Sequence, residues 1–198
     1  MRTPEPPPRA ALFFLGAVLF LAATLGGCTL LSRSPALTRS LDVTYDPPLD
    51  SKAFRDLHIE KQVTVVTLKI AGDDVRSNMA RVTENLLSKG YAVRDYNETI
   101  RILAKENLIR RKPMEPEVLD KSAKLFPDQA GIAGNIQVLQ MEPLKVILEL
   151  HWIDMKARKS VLTIKAALSE WSIAGAGRDY IAVQNMIDKA LEGIPRAR

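Results

Sequence analysis

The pattern of apolar and polar positions changes character several times along the chain. Ala10 to Gly27 carries no charge and shows no period, only an apolar run with small residues at its end. Between Thr29 and Lys61 no period is sustained, although Leu41 to Tyr45 alternates enough to predict an edge strand. Regular patterning begins at Gln62. Val63 to Ile70 is rich in β-branched residues and predicts a strand. Gly72 interrupts it, and Asp73 or Asp74 can cap a helix. Val75, Met79, Val82, Leu86 and Leu87 then fall at helical spacing on one stripe. Gly90 suits the left-handed residue that ends such a helix. Tyr91 to Tyr96 predicts a second strand, which completes a βαβ unit with a right-handed crossover.

A short helix follows from Asn97 or Thr99, with Ile100, Leu103 and Leu108 as its apolar positions. The basic turn Arg110-Arg111-Lys112-Pro113 closes it. Pro116 opens another helix, which runs to Leu125 with Val118, Leu119 and Leu125 inward. Gly131 to Gln140 predicts a strand. Lys145 to Asp154 and Ser160 to Ser169 alternate and form a hairpin, with Val146, Leu148, Leu150 and Trp152 on one face. Asp179 to Glu192 predicts a last helix with Ile181, Met186, Ile187, Ala190 and Leu191 inward, ended by Gly193 and Pro195. The order β-α-β-α-α-β-β-β-α predicts an α/β (α+β) sandwich: one mixed sheet of about four to five strands, with helices mainly on one face.

The single cysteine of the chain, Cys28, closes the apolar run, and Arg2 and Arg9 precede it. A basic start, an apolar middle and small residues at a cut site are the layout of a secretory signal. Leu25-Gly26-Gly27-Cys28 also resembles the bacterial lipobox. That resemblance implies cleavage between Gly27 and Cys28 and a lipid, such as palmitate, on the Cys28 thiol. The chain then divides into a signal peptide at 1–27, a lipidated cysteine with a flexible tether at 28–61, and an α/β domain at 62–198. An uncleaved membrane helix and an ordinary signal with an incidental cysteine are the competing readings. Acyl chains contribute about 0.8 kcal/mol per buried methylene, so two or three of them anchor a protein firmly. A flexible tether over 29–61 would span on the order of 30 Å. Thr29, not aspartate, follows the cysteine; in the sorting rule for such lipoproteins this implies the outer membrane, facing the periplasm.

The formal charge is +5. Two arginines and one glutamate lie in the leader, so the mature part carries +4. Its charges are scattered in mixed sign, with no arginine-rich run interleaved with aromatics, which argues against nucleic acid as a partner. Two histidines, His58 and His151, make no metal signature, and the cysteine and histidine clusters of zinc sites are absent. There is no nucleophile elbow and no phosphate-cradling glycine loop. Gly72-Asp73-Asp74 reads as a helix start. The expectation is therefore no catalytic residue, no metal and no cofactor beyond the covalent lipid. Trp152 and Trp171 are candidate partner-binding residues, since tryptophan is enriched at interface hot spots, but strand tryptophans belong as readily to a core.

Four segments resemble the CsgG-like and LpoB-like family of envelope lipoproteins, whose fold is that of the TolB amino-terminal domain. Lys89 to Asp95 is similar to the family's helix end and second strand. Ile102-Leu103-Ala104-Lys105-Glu106-Asn107-Leu108 is similar to its Ile-Leu-x-Glu-x-x-Leu helix. Gln129 to Ile136 resembles its Ala-Asp-x-x-x-x-Gly-x-Ile strand, and Trp152-Ile153-Asp154 with the basic turn resembles its hairpin. The aspartate before Ile132 and the Thr-Gly of the hairpin turn are missing, and no long amphipathic hairpin insertion is present. The resemblance implies a non-enzymatic lipoprotein that binds another envelope protein in a secretion or cell-wall assembly system. A ring-forming secretion-channel subunit, and hence a homo-oligomer, is the alternative; a glycan-binding or small-ligand-binding lipoprotein is the second.

Overall fold

The computed structural model describes residues 39–72, 74–127, 129–170 and 178–198. They belong to the second of two compact units, Thr38–Arg198. Cys28, Gly27 and Trp171 lie outside the described residues.

Six strands form one mixed sheet: β1 (Arg39–Asp46), β2 (Thr64–Ala71), β3 (Ala92–Val93), β4 (Ala130–Met141), β5 (Leu144–Asp154) and β6 (Lys159–Glu170), in the spatial order β1-β6-β5-β4-β2-β3. β2 runs parallel to both β3 and β4, while β4, β5, β6 and β1 form an antiparallel series. The described helices are α1 (Lys52–Asp56), α2 (Val75–Ser88), α3 (Tyr96–Lys105), α4 (Pro116–Leu125) and α5 (Arg178–Glu192). Local chemistry explains most of the boundaries. Asp74 and Asp95 cap α2 and α3 by accepting hydrogen bonds from the backbone N–H groups of Ser77 and Glu98. Pro116 starts α4 where its missing N–H costs nothing. Gly90 turns the chain after α2 with φ of +88°.

Two apolar clusters lie on opposite faces of the sheet. The larger joins Leu144, Val146, Leu148, Leu150 and Trp152 of β5 and the alternating Leu162, Ile164, Ala166 and Leu168 of β6 to α2 and α5. The smaller joins Val66 and Leu68 of β2, Ala133 of β4 and Ile153 of β5 to Leu103 of α3 and Val118, Leu119 and Ala123 of α4. Each fully buried aliphatic side chain contributes about 1.5–3 kcal/mol. Helices therefore cover both faces, where the sequence predicted mainly one. On the second face α3 and α4 cover only the β2 side. Across β5, β6 and β1 that face stays open: Lys145, Ile147, Lys165, Ala167, Asp42 and Thr44 are exposed.

The folded domain begins earlier than the expected boundary at Gln62. All of β1 is registered against β6, from Arg39 opposite Glu170 to Asp46 opposite Thr163. Tyr45 fixes this edge to α5: its hydroxyl donates toward the Ala190 carbonyl at 3.3 Å. Gly193 makes room for it, because a Cβ there would stand 2.7 Å from the Tyr45 hydroxyl. Residues 39–61 are thus part of the sandwich and its lead-in, not a free tether. The second predicted strand shrinks to two residues, since Asp95 caps a helix that starts at Tyr96. Leu87 and Ile181, expected inward, are 53 % and 57 % exposed; Ala182 takes the inward place in α5.

Candidate functional site

The sequence candidates fare differently. Trp152 is 1 % exposed and belongs to the larger core. Its indole Nε1 donates to Gln62 Oε1 at 2.6 Å, and its ring meets Tyr91 edge-on at 5.4 Å. Tyr91 in turn donates to the Pro195 carbonyl at 2.8 Å. In that place Trp152 offers no surface to a partner, and the expectation of a partner contact there is corrected to a core anchor. The alternation of β5 decides it, because Trp152 shares the parity of Leu148 and Leu150. Among the described residues no group of histidine, cysteine and carboxylates is placed to hold a metal ion, and no helix is long and apolar enough to cross a membrane.

His58 and His151 line two different hollows. His58 takes a left-handed backbone, φ 49°, before a short 3-10 turn at Ile59–Lys61. It lines a hollow of about 500 Å³ with Arg55, Glu60, Arg196 and Arg198. His151 lies on the open face of β5, half-buried. Its Nδ1 is 3.3 Å from both the Ser160 and Thr163 hydroxyls, and its Nε2 is 3.7 Å from Glu149 Oε1. Burial lowers the imidazole pKa; the Glu149 charge opposes this and the Lys165 charge adds to it. The ring is held in its neutral form near pH 7.

A second hollow, of about 440 Å³, opens where the cover of α3 and α4 stops and the bare sheet begins. Lys69 and Ala71 of β2, Asn135 of β4 and Glu149 and His151 of β5 form its floor, and the loop from Arg110 to Met114 forms its wall. A β-bulge between Thr67 and Lys69 builds it. Val66 and Leu68 face the smaller cluster, and Ile70 faces the larger one. Without the extra residue Lys69 would point into the larger core; the bulge turns it to the open face. There Lys69 stands in line with Ala133, His151 and Thr163, and Ala71 with Asn135, Glu149, Lys165 and Thr44. Lys69 Nζ donates to the Ile109 carbonyl at 3.1 Å.

The wall is braced from within. Arg111 binds Glu115 through Nε and Nη2 at 3.0 and 2.8 Å, and Glu117 through Nη1 at 2.7 Å. The Glu117 and Glu115 carboxylates raise the Arg111 pKa, while the hydrogen bonds and charges of Arg111 and Lys121 lower that of Glu117. Leu108, buried, and Ile109 and Met114, half-buried, pin the loop to the smaller cluster. Arg110 and Lys112 are exposed and meet no carboxylate among the described residues. The basic turn was visible in the sequence as a helix stop. Its meeting with Lys69 and His151 was not.

No family model matches the chain, and no curated protein does. The CsgG-like likeness is thus confined to the short segments that carry it. Several solved structures share part of the course of the chain. A PelC dodecamer from Paraburkholderia phytofirmans, in space group C2, is 15 % identical with a TM-score of 0.49, over 81 % of this chain and 100 % of that one. A second PelC dodecamer, in space group P6, is 14 % identical with a TM-score of 0.48, over 81 % and 99 %. Lipoprotein GNA1162 from Neisseria meningitidis is 12 % identical with a TM-score of 0.46, over 67 % of this chain and 99 % of that one. At such identities and scores the likeness carries no argument about what this chain does.

Proposed function

We propose that the protein is a lipid-anchored lipoprotein of the bacterial envelope, facing the periplasm from the outer membrane. It acts by binding another envelope protein, as a component or activator of a secretion or cell-wall assembly system, and not as an enzyme. The observation that carries this reading is Leu25-Gly26-Gly27-Cys28 at the end of an uncharged apolar run. Two surfaces of the fold support a binding role: the open half-face of the sheet and the outer edge of β1, whose backbone groups find no strand among the described residues. Extended fully, the chain from Cys28 to Arg39 reaches at most roughly 40 Å. The domain therefore works close to the bilayer that holds its anchor.

A channel subunit is the weaker reading. Such a protein needs hairpins free to enter a membrane, yet β4, β5 and β6 are committed along their whole length to the sheet. Labelling cells with a palmitate analogue tests the anchor: wild type takes up label and Cys28→Ala does not. An unlabelled wild type, or label that survives the substitution, overturns it. The native mass of the protein in mild detergent tests the rest. Co-migration with a second envelope protein supports the reading, a large homo-oligomer favours the channel, and a bare monomer removes the stable partner.

A further inference from the structure

We infer that the hollow between the Arg110–Lys112 loop and the open sheet face is a binding site for a phosphate-bearing ligand. The inference does not depend on the lipid anchor or on the protein partner proposed above. It rests on a balance of charge inside a built cleft. Three cations line it without a carboxylate partner among the described residues: Lys69, Arg110 and Lys112. The one carboxylate in the lining, Glu149, is already engaged by Lys165, whose Nζ stands 3.5 Å away. Arg111 is excluded from the tally because Glu115 and Glu117 occupy its guanidinium.

The cations are held in place at different levels. Lys69 sits on a sheet strand, aimed by the bulge, and one of its three protons is bound by the Ile109 carbonyl. The other two remain for a ligand. Arg110 and Lys112 flank the braced Arg111, and the backbone bonds Arg111 N–H to Leu108 carbonyl, 3.1 Å, and Glu115 N–H to Lys112 carbonyl, 3.1 Å, fix the loop between them. A loop ordered before binding loses little entropy when the ligand arrives. Asn135 adds a side-chain amide with no partner of its own in the described structure, which can donate to a phosphate oxygen. A doubly charged phosphate matches this surplus better than a single carboxylate, since it accepts several charge-assisted hydrogen bonds at once. The hollow, about 440 Å³, accommodates a headgroup or a small phosphate ester.

The test is a calorimetric titration of the full chain in mild non-ionic detergent with two probes, inorganic phosphate and a short-chain phosphatidic acid carried in the micelle. Saturable binding that weakens with added salt is expected. Arg110→Gln combined with Lys112→Gln should weaken it by about tenfold or more. Both side chains are exposed and unpaired, so this variant keeps its fold. Lys69→Gln should lower affinity further, and an unchanged thermal midpoint shows that this variant too is folded. Arg55→Gln combined with Arg196→Gln, at the other basic hollow, should change nothing. Stronger binding of phosphatidic acid assigns a lipid headgroup, and stronger binding of free phosphate assigns a soluble ester. No saturable binding of either probe, or binding unaffected by the Arg110 and Lys112 changes, overturns the inference.

Discussion

Trp152 offers the sharpest measurement of the core, because its burial decides between an interior anchor and an interface contact. Truncating it to alanine removes an indole that is 1 % exposed and ends the edge-on contact with Tyr91. Loss of a large buried aromatic side chain costs about 3–5 kcal/mol. Within that figure the edge-on pair contributes about 0.5–1.5 kcal/mol. Trp152→Phe keeps most of the ring but strands Gln62, whose Oε1 loses the 2.6 Å bond; about 1–3 kcal/mol is expected. A domain of this kind holds only about 5–15 kcal/mol in total, so Trp152→Ala should bring the midpoint of guanidinium unfolding down steeply. The assay is equilibrium unfolding followed by circular dichroism, with the slope checked for constancy so that the midpoint shift reports stability. In a Trp171→Phe background, Trp152 fluorescence alone should be that of an enclosed indole and should shift to the red on unfolding. A Trp152→Ala variant within about 0.5 kcal/mol of wild type would refute the placement, since that is what an exposed position gives.

Other outcomes follow from the same packing. Gly134→Ala would set a Cβ 2.4 Å from the Glu149 carbonyl oxygen and 2.6 Å from Leu150 Cδ2; backbone cannot yield there, and a loss of about 1–3 kcal/mol should appear in thermal unfolding. Ile181→Ala should lie within about 0.5 kcal/mol of wild type, while Ile187→Ala, fully buried in the same helix, should cost about 2–5 kcal/mol; equal effects would refute the facing of α5. Burial pushes the Asp188 carboxyl up, but the hydrogen bonds from Arg81 and Asn85 and the Arg81 charge outweigh it and hold the pKa below the usual value. The native state then binds fewer protons than the unfolded one. The contribution is complete above about pH 4 and is lost as pH falls through the lowered native pKa. Asp188→Asn should cost no more than about 1 kcal/mol at neutral pH, since the pair is partly exposed, and the difference from wild type should vanish in acid. A difference that persists there would rule out the carboxylate as its cause.

The sequence by itself determined the element types and most of their bounds. Period and punctuation are local properties, so Pro116, Gly90, the capping Asp74 and the alternation of β5 and β6 could be read one residue after another. The proposed membrane anchor, too, rests on a contiguous run that ends at Cys28. Tertiary structure decided what depends on pairing. The alternation of Leu41 to Tyr45 announced an edge strand, but its full span from Arg39 to Asp46 and its place in the sheet depend on the edge that β6 offers and on Gly193, which admits Tyr45 against α5. Ile181 and Leu87 fit the helical stripe by spacing, yet a surface helix leaves one flank to solvent, and both residues fall there. Lys69 is the clearest case. Its position in a strand of alternating parity points inward, and only the bulge formed where β2 meets β4 turns it outward. The basic loop, the re-aimed lysine and the half-buried histidine are separated by tens of residues in the chain. They share a cleft because a mixed sheet brings β2, β4 and β5 side by side, which no local pattern encodes.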